Sequence, residues 1–450
     1  SLALVIFVLS AIVRLNLTVA FVLFALYLYS VLRGFKSRGY TPLNALFLFM
    51  VIFSGSYLLL MGNLSAFYIP YPLIPMLATL LFANLEISFL LTVAIAVAIS
   101  SLSTAPFQLA ILFLLSGIVS SFLALDARKR TTVIRAGVLV GLIQAAALIF
   151  WERFNFYAPL RYGILFLNGI ISSWLVLGIL PIFEYLFSTV TNISLLELAD
   201  FNHPLLQQMI MDAPGTYHHS LIVGNLSESA CNSVGANALL ARIGAYYHDI
   251  GKLSKPEYFS ENQELNKSKH DDLAPTMSRL VIMNHVREGM EMAKKYKINP
   301  AILDFIQQHH GKSLVYYFYR RALEELEEDQ EIKEEGFRYP GPKPNTKETA
   351  IVLLADSVEA ATRALKNPAP VKIEEVVRRV INNKFIDGQL DECELTLKDL
   401  EKISTVFIRI LSGIYHSRVS YPEETKSGNN RKKLSEENTS QPGKDKKDNS

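Results

Sequence analysis

The chain has 450 residues, half of them hydrophobic and 19% charged, with a mean hydropathy of +0.24 and a formal net charge of +2. That is too apolar for an ordinary soluble protein and too near neutral for a polyelectrolyte surface that would bind DNA or RNA. Its two cysteines, Cys231 and Cys393, lie far apart, which fits a reducing compartment and argues against a disulfide scaffold.

The apolar excess is concentrated in residues 1–188, and residues 189–450 are charged. Ser1 opens directly inside the apolar stretch 2–13, with no charged n-region or cleavage site. This is not a signal peptide, and the chain reads as a fragment of a longer one. A helix needs about 20 apolar residues to cross the hydrocarbon core. Seven candidate spans follow, near 15–33, 44–62, 68–84, 86–104, 107–125, 133–152 and 164–188. Asn84 and Glu86 are the sole polar interruption between the third and fourth, and Pro70, Pro72 and Pro75 bend or break the third. Basic residues follow the first span (Arg33, Lys36, Arg38) and the fifth (Arg128, Lys129, Arg130, Arg135). By the positive-inside rule these exits face the cytoplasm. The seventh span exits on the same side, so the second half is expected there. Glu86, Glu152 and Glu184 lie near span ends and are expected as interfacial groups. The bundle therefore looks like an anchor or sensor rather than a transporter.

Residues 189–212 form an amphipathic linker, broken where Asn202, His203 and Pro204 predict a turn. It reads as either a transmitter of motion or a passive connection. The following unit, 213–422, is mainly helical, with helical apolar spacing in 219–230, 237–248, 275–294, 300–309, 348–366 and 371–386. The acidic segment 324–335 reads as an exposed helix face. The stretch 423–450, rich in Lys, Glu, Asn, Ser and Gly, is expected to be disordered. The fold class is thus all-α, a transmembrane bundle followed by a helical domain.

Five of the nine histidines fall in four short motifs: His219 in GTYHHS, His248 in YYHDIGK, His285 in MNHVREG, and His309 with His310 in QQHHGKS. Asp249 follows His248, and Asp356 sits in LLADSVEAATR. Imidazole and carboxylate suit divalent Fe, Mn or Zn, and the lack of thiolates disfavours a zinc finger. His219, His248 and Asp356 each follow apolar residues, and a buried polar group must find a partner. One His alone would be a hydrogen-bonded core residue, but five His and two Asp together point to a shared metal site. His218 should face away from its neighbour His219, since adjacent helical residues point about 100° apart. His309 and His310 can serve one metal only if their helix ends there, which Gly311 allows.

The order H…HD…H…HH…D resembles the HD-domain superfamily of metal-dependent phosphohydrolases. APGTYHHSL, GAYYHDIGKL, FRYPGPKP, KETAIVLLADSVEAATR and DGQLDECELTL are similar to the seven-transmembrane HD hydrolases of the PgpH type, bacterial cyclic di-AMP phosphodiesterases. The resemblance runs from about residue 15 to Pro422. It implies two divalent metal ions, Fe or Mn. One would be held by His219, His248, Asp249 and Asp356, the other by His285, His309 and His310, with Asp249 bridging. Members usually carry a further N-terminal extracytoplasmic domain that this chain lacks.

The implied reaction is attack of a metal-bridging hydroxide on cyclic di-AMP, giving 5′-pApA. Asp249 and Lys252 are the candidate catalytic groups. Lys252, Arg287, Lys312, Tyr339 and Arg363 are candidates for substrate contact: Lys252 for a phosphate or the attacking oxygen, and Tyr339, or Phe337 beside it, for stacking on an adenine. Each has a plainer reading as surface charge or, in FRYPGPKP, as a rigid connector. The implied partners are a cyclic dinucleotide and the lipid bilayer, with no DNA or RNA. A homo-oligomer is compatible with this reading. Two other functions fit the same residues: an HD phosphohydrolase acting on another nucleotide such as cyclic di-GMP, or a membrane receptor that binds nucleotide without turnover. The GKS that follows His309–His310 departs from the GYP triplet usual in the cyclic di-GMP group.

Overall fold

The computed structural model describes residues 42–415 apart from 63–64, 104–105, 126, 154–158, 264–267, 326–331 and 367. The first expected span and the polar tail lie outside the described residues. Among the described residues the apolar half forms six α-helices: α1 (Pro42–Met61), α2 (Leu73–Phe82), α3 (Leu85–Ser100), α4 (Pro106–Ala124), α5 (Arg130–Glu152) and α6 (Pro159–Phe187). Four of them are long and apolar enough to cross a membrane: Leu43–Met61, Phe107–Ala124, Arg130–Glu152 and Pro159–Phe187, with mean hydropathies of 2.0 to 2.2.

The expected third span is shorter than its apolar run suggests. Pro70 and Pro72 hold the chain out of the α-helix until Leu73, so α2 has ten residues, all buried. At 1.5 Å per residue it is about 15 Å long, half of a bilayer core. It ends at Ala83 in the left-handed region, φ 46°. Asn84 then caps α3 by accepting from the amides of Glu86 and Ile87. Small residues close the bundle. A Cβ added at Gly169 of α6 would come 2.3 Å from the Gly137 carbonyl oxygen and 2.5 Å from the Gly141 amide of α5. This is the close backbone approach that helix pairs without a water-driven hydrophobic effect rely on.

Glu184 departs from its expected interfacial place. It is 5% exposed, and it accepts from the Thr191 amide at 2.7 Å and the Ser194 hydroxyl at 2.8 Å. These bonds tie the end of α6 to α7 (Asn192–Leu198). The expected linker helix is thus two helices, α7 and α8 (Pro204–Asp212), with the turn at Asn202–His203 between them. Nor do they form a loose tether. Leu195, Leu205, Leu206 and Met209 are buried in one cluster with Ile243, Tyr247, Ile250, Ile302 and Ile306.

The second half continues with α9 (Pro214–Val234), α10 (Ala238–Tyr247), α11 (Pro275–Lys295), α12 (Pro300–Gln308), α13 (Tyr316–Glu324), α14 (Lys347–Arg363), α15 (Pro370–Ile386) and α16 (Leu397–Ile414). Helix starts are set locally: Pro occupies the first turn of α9, α11, α12 and α15. Thr346 with Thr349 and Thr396 with Asp399 form capping boxes on α14 and α16. Ile351 to Ala355 of α14 are wholly buried, so this helix runs through the core that α9, α15 and α16 enclose. Helices α13 and α16 were not among the expected segments. Of the acidic segment, residues 326–331 lie outside the described residues; Glu324 ends α13, and Glu334–Phe337 is a separate 3-10 turn.

Candidate metal centre

Seven side chains from five places in the fold converge. His219 lies in the second turn of α9 and is buried, while His218 beside it is exposed. His248 caps the C-terminal end of α10. Asp249 occupies the step into the 3-10 turn Ile250–Ser254. His285 is mid-way along α11 and Asp356 mid-way along α14. His309 caps α12, and Gly311 at φ 54° turns the chain there, so that His309 and His310 face one point. The rings of this pair are 4.1 Å apart.

The ligand atoms form two groups, each within 4.8 Å: His219, His248, Asp249 and Asp356, and Asp249, His285, His309 and His310. Asp249 belongs to both, one oxygen to each. Its Oδ2 is 3.1 Å from His248 Nε2 and 3.6 Å from His219 Nε2. Its Oδ1 is 3.4 Å from His285 Nε2 and 3.6 Å from His309 Nε2. Asp356 Oδ1 is 3.1 Å from His219 Nε2, and its Oδ2 is 3.7 Å from His310 Nδ1.

Four of the five imidazoles are oriented from behind by their Nδ1. His248 donates to the Ala245 carbonyl at 2.6 Å, His285 to Ile282 at 2.5 Å, His309 to Ile306 at 2.9 Å, and His219 to the Glu359 carboxylate at 2.5 Å. An imidazole that donates through Nδ1 offers the Nε2 lone pair inward, as metal-ligating histidines do. Two such lone pairs, on His285 and His309, meet at 3.1 Å. His248 Nε2 and both Asp249 oxygens are buried without a hydrogen bond, although the Lys252 ammonium forms an ion pair with Oδ2 at 2.7 Å. Unsatisfied buried polar atoms are rare in native folds. Divalent cations fit these N and O donors.

The electrostatics agree. Burial pushes the Asp249 carboxyl up, but His248 and Lys252 outweigh it and hold it well below the usual carboxylate range. Asp356 is likewise held low, burial being outweighed by His219 and His248. Burial drives His285 down to about 3 and His310 well below the imidazole range. Burial pushes His219 and His248 down too, but Asp356 with Glu359 outweighs it for His219, and Asp249 with Asp356 raises His248 to about 10. The anionic carboxylates thus favour positive charge at the imidazoles beside them, a place that a bound cation would take.

The candidate substrate contacts fare unevenly. Lys252 is ion-paired on both sides, with Asp249 at 2.7 Å and Glu261 at 2.6 Å. Arg287 points away from the centre; its side chain is 72% exposed, with Glu288 and Glu291 as neighbours. It follows His285 by two, which on a helix is some 200° round. Arg363 lies on the same side of α14 as Asp356 but meets Glu359 at 3.3 Å and Glu261 at 3.8 Å. Lys312 is exposed and folds over Gly341. Tyr339 stacks on His310 at 4.2 Å and is 8% exposed, so its ring is committed to the protein rather than open to an adenine. Phe337 is buried against Tyr319 and Arg279. Two carboxylates were missed. Glu359 is three residues past Asp356, a spacing that puts both on one helix face. Glu261 lies in a 3-10 turn and had no periodic signal.

A helical fold in which histidines and aspartates from five segments form two groups able to hold a metal, around a shared HD aspartate, is the arrangement of an HD domain. The comparisons agree: residues 216–361 match the HD domain model, and residues 8–191 match the family described as "7TM receptor with intracellular HD hydrolase". The two halves of the chain thus match, in order, the membrane part of that family and the HD domain. The chain is similar to the cyclic-di-AMP phosphodiesterase PgpH of Bacillus subtilis, 43% identical over 71% of this chain and 45% of the relative. It is also 40% identical to PgpH of Listeria monocytogenes, over 80% of this chain and 51% of the relative. The chain thus spans about half the length of these curated relatives. A crystal structure of the L. monocytogenes PgpH HD domain in complex with cyclic di-AMP matches at 46% identity, with a TM-score of 0.46, over 49% of this chain and 100% of that one.

Proposed function

We propose that this chain is a membrane-bound phosphodiesterase that hydrolyses cyclic di-AMP to 5′-pApA. The observation that carries the reading is Asp249, with one carboxylate oxygen facing each of two ligand groups. His219, His248, Asp249 and Asp356 would hold one divalent cation, and Asp249, His285, His309 and His310 the other, with Fe or Mn suited to the donors. When bound, such a pair lowers the pKa of water toward neutrality and offsets charge developing on a phosphodiester.

The protein's own groups fix the geometry. Backbone carbonyls and Glu359 orient the imidazoles from behind. Burial pushes Lys252 down, but Asp249 and Glu261 outweigh it and hold its ammonium well above the lysine range. Lys252 therefore keeps its proton and acts as a fixed cation that orients Asp249, not as a base. The proposed limits are a bundle over 1–188, a connection over 189–212 and a catalytic unit over 213–422. The core residues of α7 and α8 mean that the unit is complete only with the connection attached. The cytoplasmic side is supported by Arg130 at the start of α5, which pairs with Glu197 of α7 at 2.6 Å. The basic loop thereby lies on the same side as the catalytic half.

The test is turnover by the full chain in detergent, loaded anaerobically with Mn or Fe. Cyclic di-AMP should yield pApA at a higher kcat/KM than cyclic di-GMP, and Asp249→Ala should lose activity. Preference for cyclic di-GMP, or tight binding without product, would refute the reading.

A further inference from the structure

The proposed reaction leaves half of its substrate unaccounted for. A cyclic dinucleotide has two phosphates; the metal centre engages one, and the other needs a cation of its own. Most basic groups around the centre are already committed to carboxylates: Lys252 to Asp249 and Glu261, Arg363 to Glu359, Arg338 to Asp387 and Glu334, and Lys343 to Asp391.

Lys384 differs. It sits in the last turn of α15 and is partly buried, and its Nζ donates to the Ser313 hydroxyl at 2.7 Å. Among the described residues no carboxylate lies within ion-pair distance of it. Ser313 belongs to the short loop that begins at the metal centre: its amide donates to the His310 carbonyl at 3.0 Å, and its carbonyl accepts from the Tyr339 amide at 3.0 Å. Tyr339 in turn stacks on His310. The wall around Lys384 is firmly built, with the Lys312 amide donating to Gln389 at 2.7 Å and Arg338 donating to the Lys312 carbonyl at 2.9 Å. Burial lowers the lysine's pKa, against the pull of Asp356 and Asp387. A desolvated ammonium held by a single neutral hydroxyl is costly unless an anion joins it. A lysine at a helix C-terminus needs only solvent to serve the dipole, and this one turns inward, toward the His310 loop.

We propose that Lys384 binds the second phosphate of the dinucleotide, the one not engaged by the metal centre, and so sets the preference for substrates with two phosphates. This rests on the cyclic-dinucleotide reading above. The full chain in detergent, loaded with Mn, is assayed with cyclic di-AMP for turnover, and with pApA and AMP for equilibrium binding. Lys384→Ala should raise KM for cyclic di-AMP about tenfold or more, with kcat changed less than about threefold. It should weaken pApA, which has two phosphates, about tenfold more than AMP, which has one. Lys384→Arg should recover most of the loss. Ser313→Ala removes the hydroxyl but keeps the ammonium, and should bind pApA within about threefold of the parent. An unchanged KM, equal weakening of AMP and pApA, or an equal loss in Ser313→Ala would overturn the proposal, the last because Lys384 would then serve only to pin the loop. Absence of cyclic di-AMP turnover in the parent would refute the functional reading instead, and the comparison of pApA with AMP would still judge Lys384.

Discussion

His219 and Glu359, 140 positions apart in the chain, are joined by a 2.5 Å hydrogen bond from Nδ1 to the carboxylate, with both side chains almost fully buried. The other imidazole nitrogen of His219 points at Asp356 and Asp249. Glu359 thus fixes the ring of a ligand it does not resemble in role, and Arg363 backs Glu359 at 3.3 Å. Partners of this kind cost about 10–100-fold in metal affinity when removed. Glu359→Gln should therefore raise the Mn dissociation constant by about that factor, measured by metal titration. Unchanged affinity would show that the bond is only structural.

Acid should weaken the metal-free protein in two windows. His285 titrates near 6.5 when unfolded and is held at about 3 by burial when folded. Burial raises Glu261, but Lys252 outweighs it and holds the carboxyl at about 2, against 4.5. Both folded values lie below the unfolded ones, so in between the unfolded chain binds more protons. Stability is then lost as pH falls, from about 6.5 toward 3 for His285 and from about 4.5 toward 2 for Glu261. Denaturant midpoints of the metal-free chain should drop between pH 7 and pH 5. His285→Asn should flatten that slope, and a slope equal to the parent's would contradict the assignment.

Gly251 decides how closely the Asp249 turn can approach α11. A Cβ there would fall 1.8 Å from the His285 carbonyl oxygen and 2.5 Å from the Gly289 amide, both backbone atoms. Gly251→Ala must push the turn off α11 and carry Asp249 away from His285. The expected cost is about 1–3 kcal/mol, seen as a lower thermal midpoint, together with less than two metal equivalents per chain by elemental analysis. Full metal content at an unchanged midpoint would show that the contact yields freely.

Much of this protein was legible from pattern. Apolar runs marked the membrane helices, and helical periodicity marked α9, α10, α11, α12, α14 and α15, because burial of one face leaves a trace in residue order. The HD motif and its companion histidines marked the candidate ligands by type. Two helices escaped: α13, which begins with four aromatic residues, Tyr316 to Tyr319, and α16. The ten-residue α2 was overread, because hydropathy averages across prolines that the backbone cannot ignore.

By itself, the sequence determined which residues have metal-ligating chemistry, and that a membrane half precedes a helical one. Both follow from side-chain type and local periodicity. Tertiary structure decided what each charged group faces: Arg287 outward, Lys252 between two carboxylates, Tyr339 onto a histidine, Glu184 into the α6–α7 joint, Lys384 toward the His310 loop. Those pairings range from three positions apart, Lys252 with Asp249, to 71 apart, Lys384 with Ser313. Charge energetics depend on distance and burial in space, to which residue order gives no direct access.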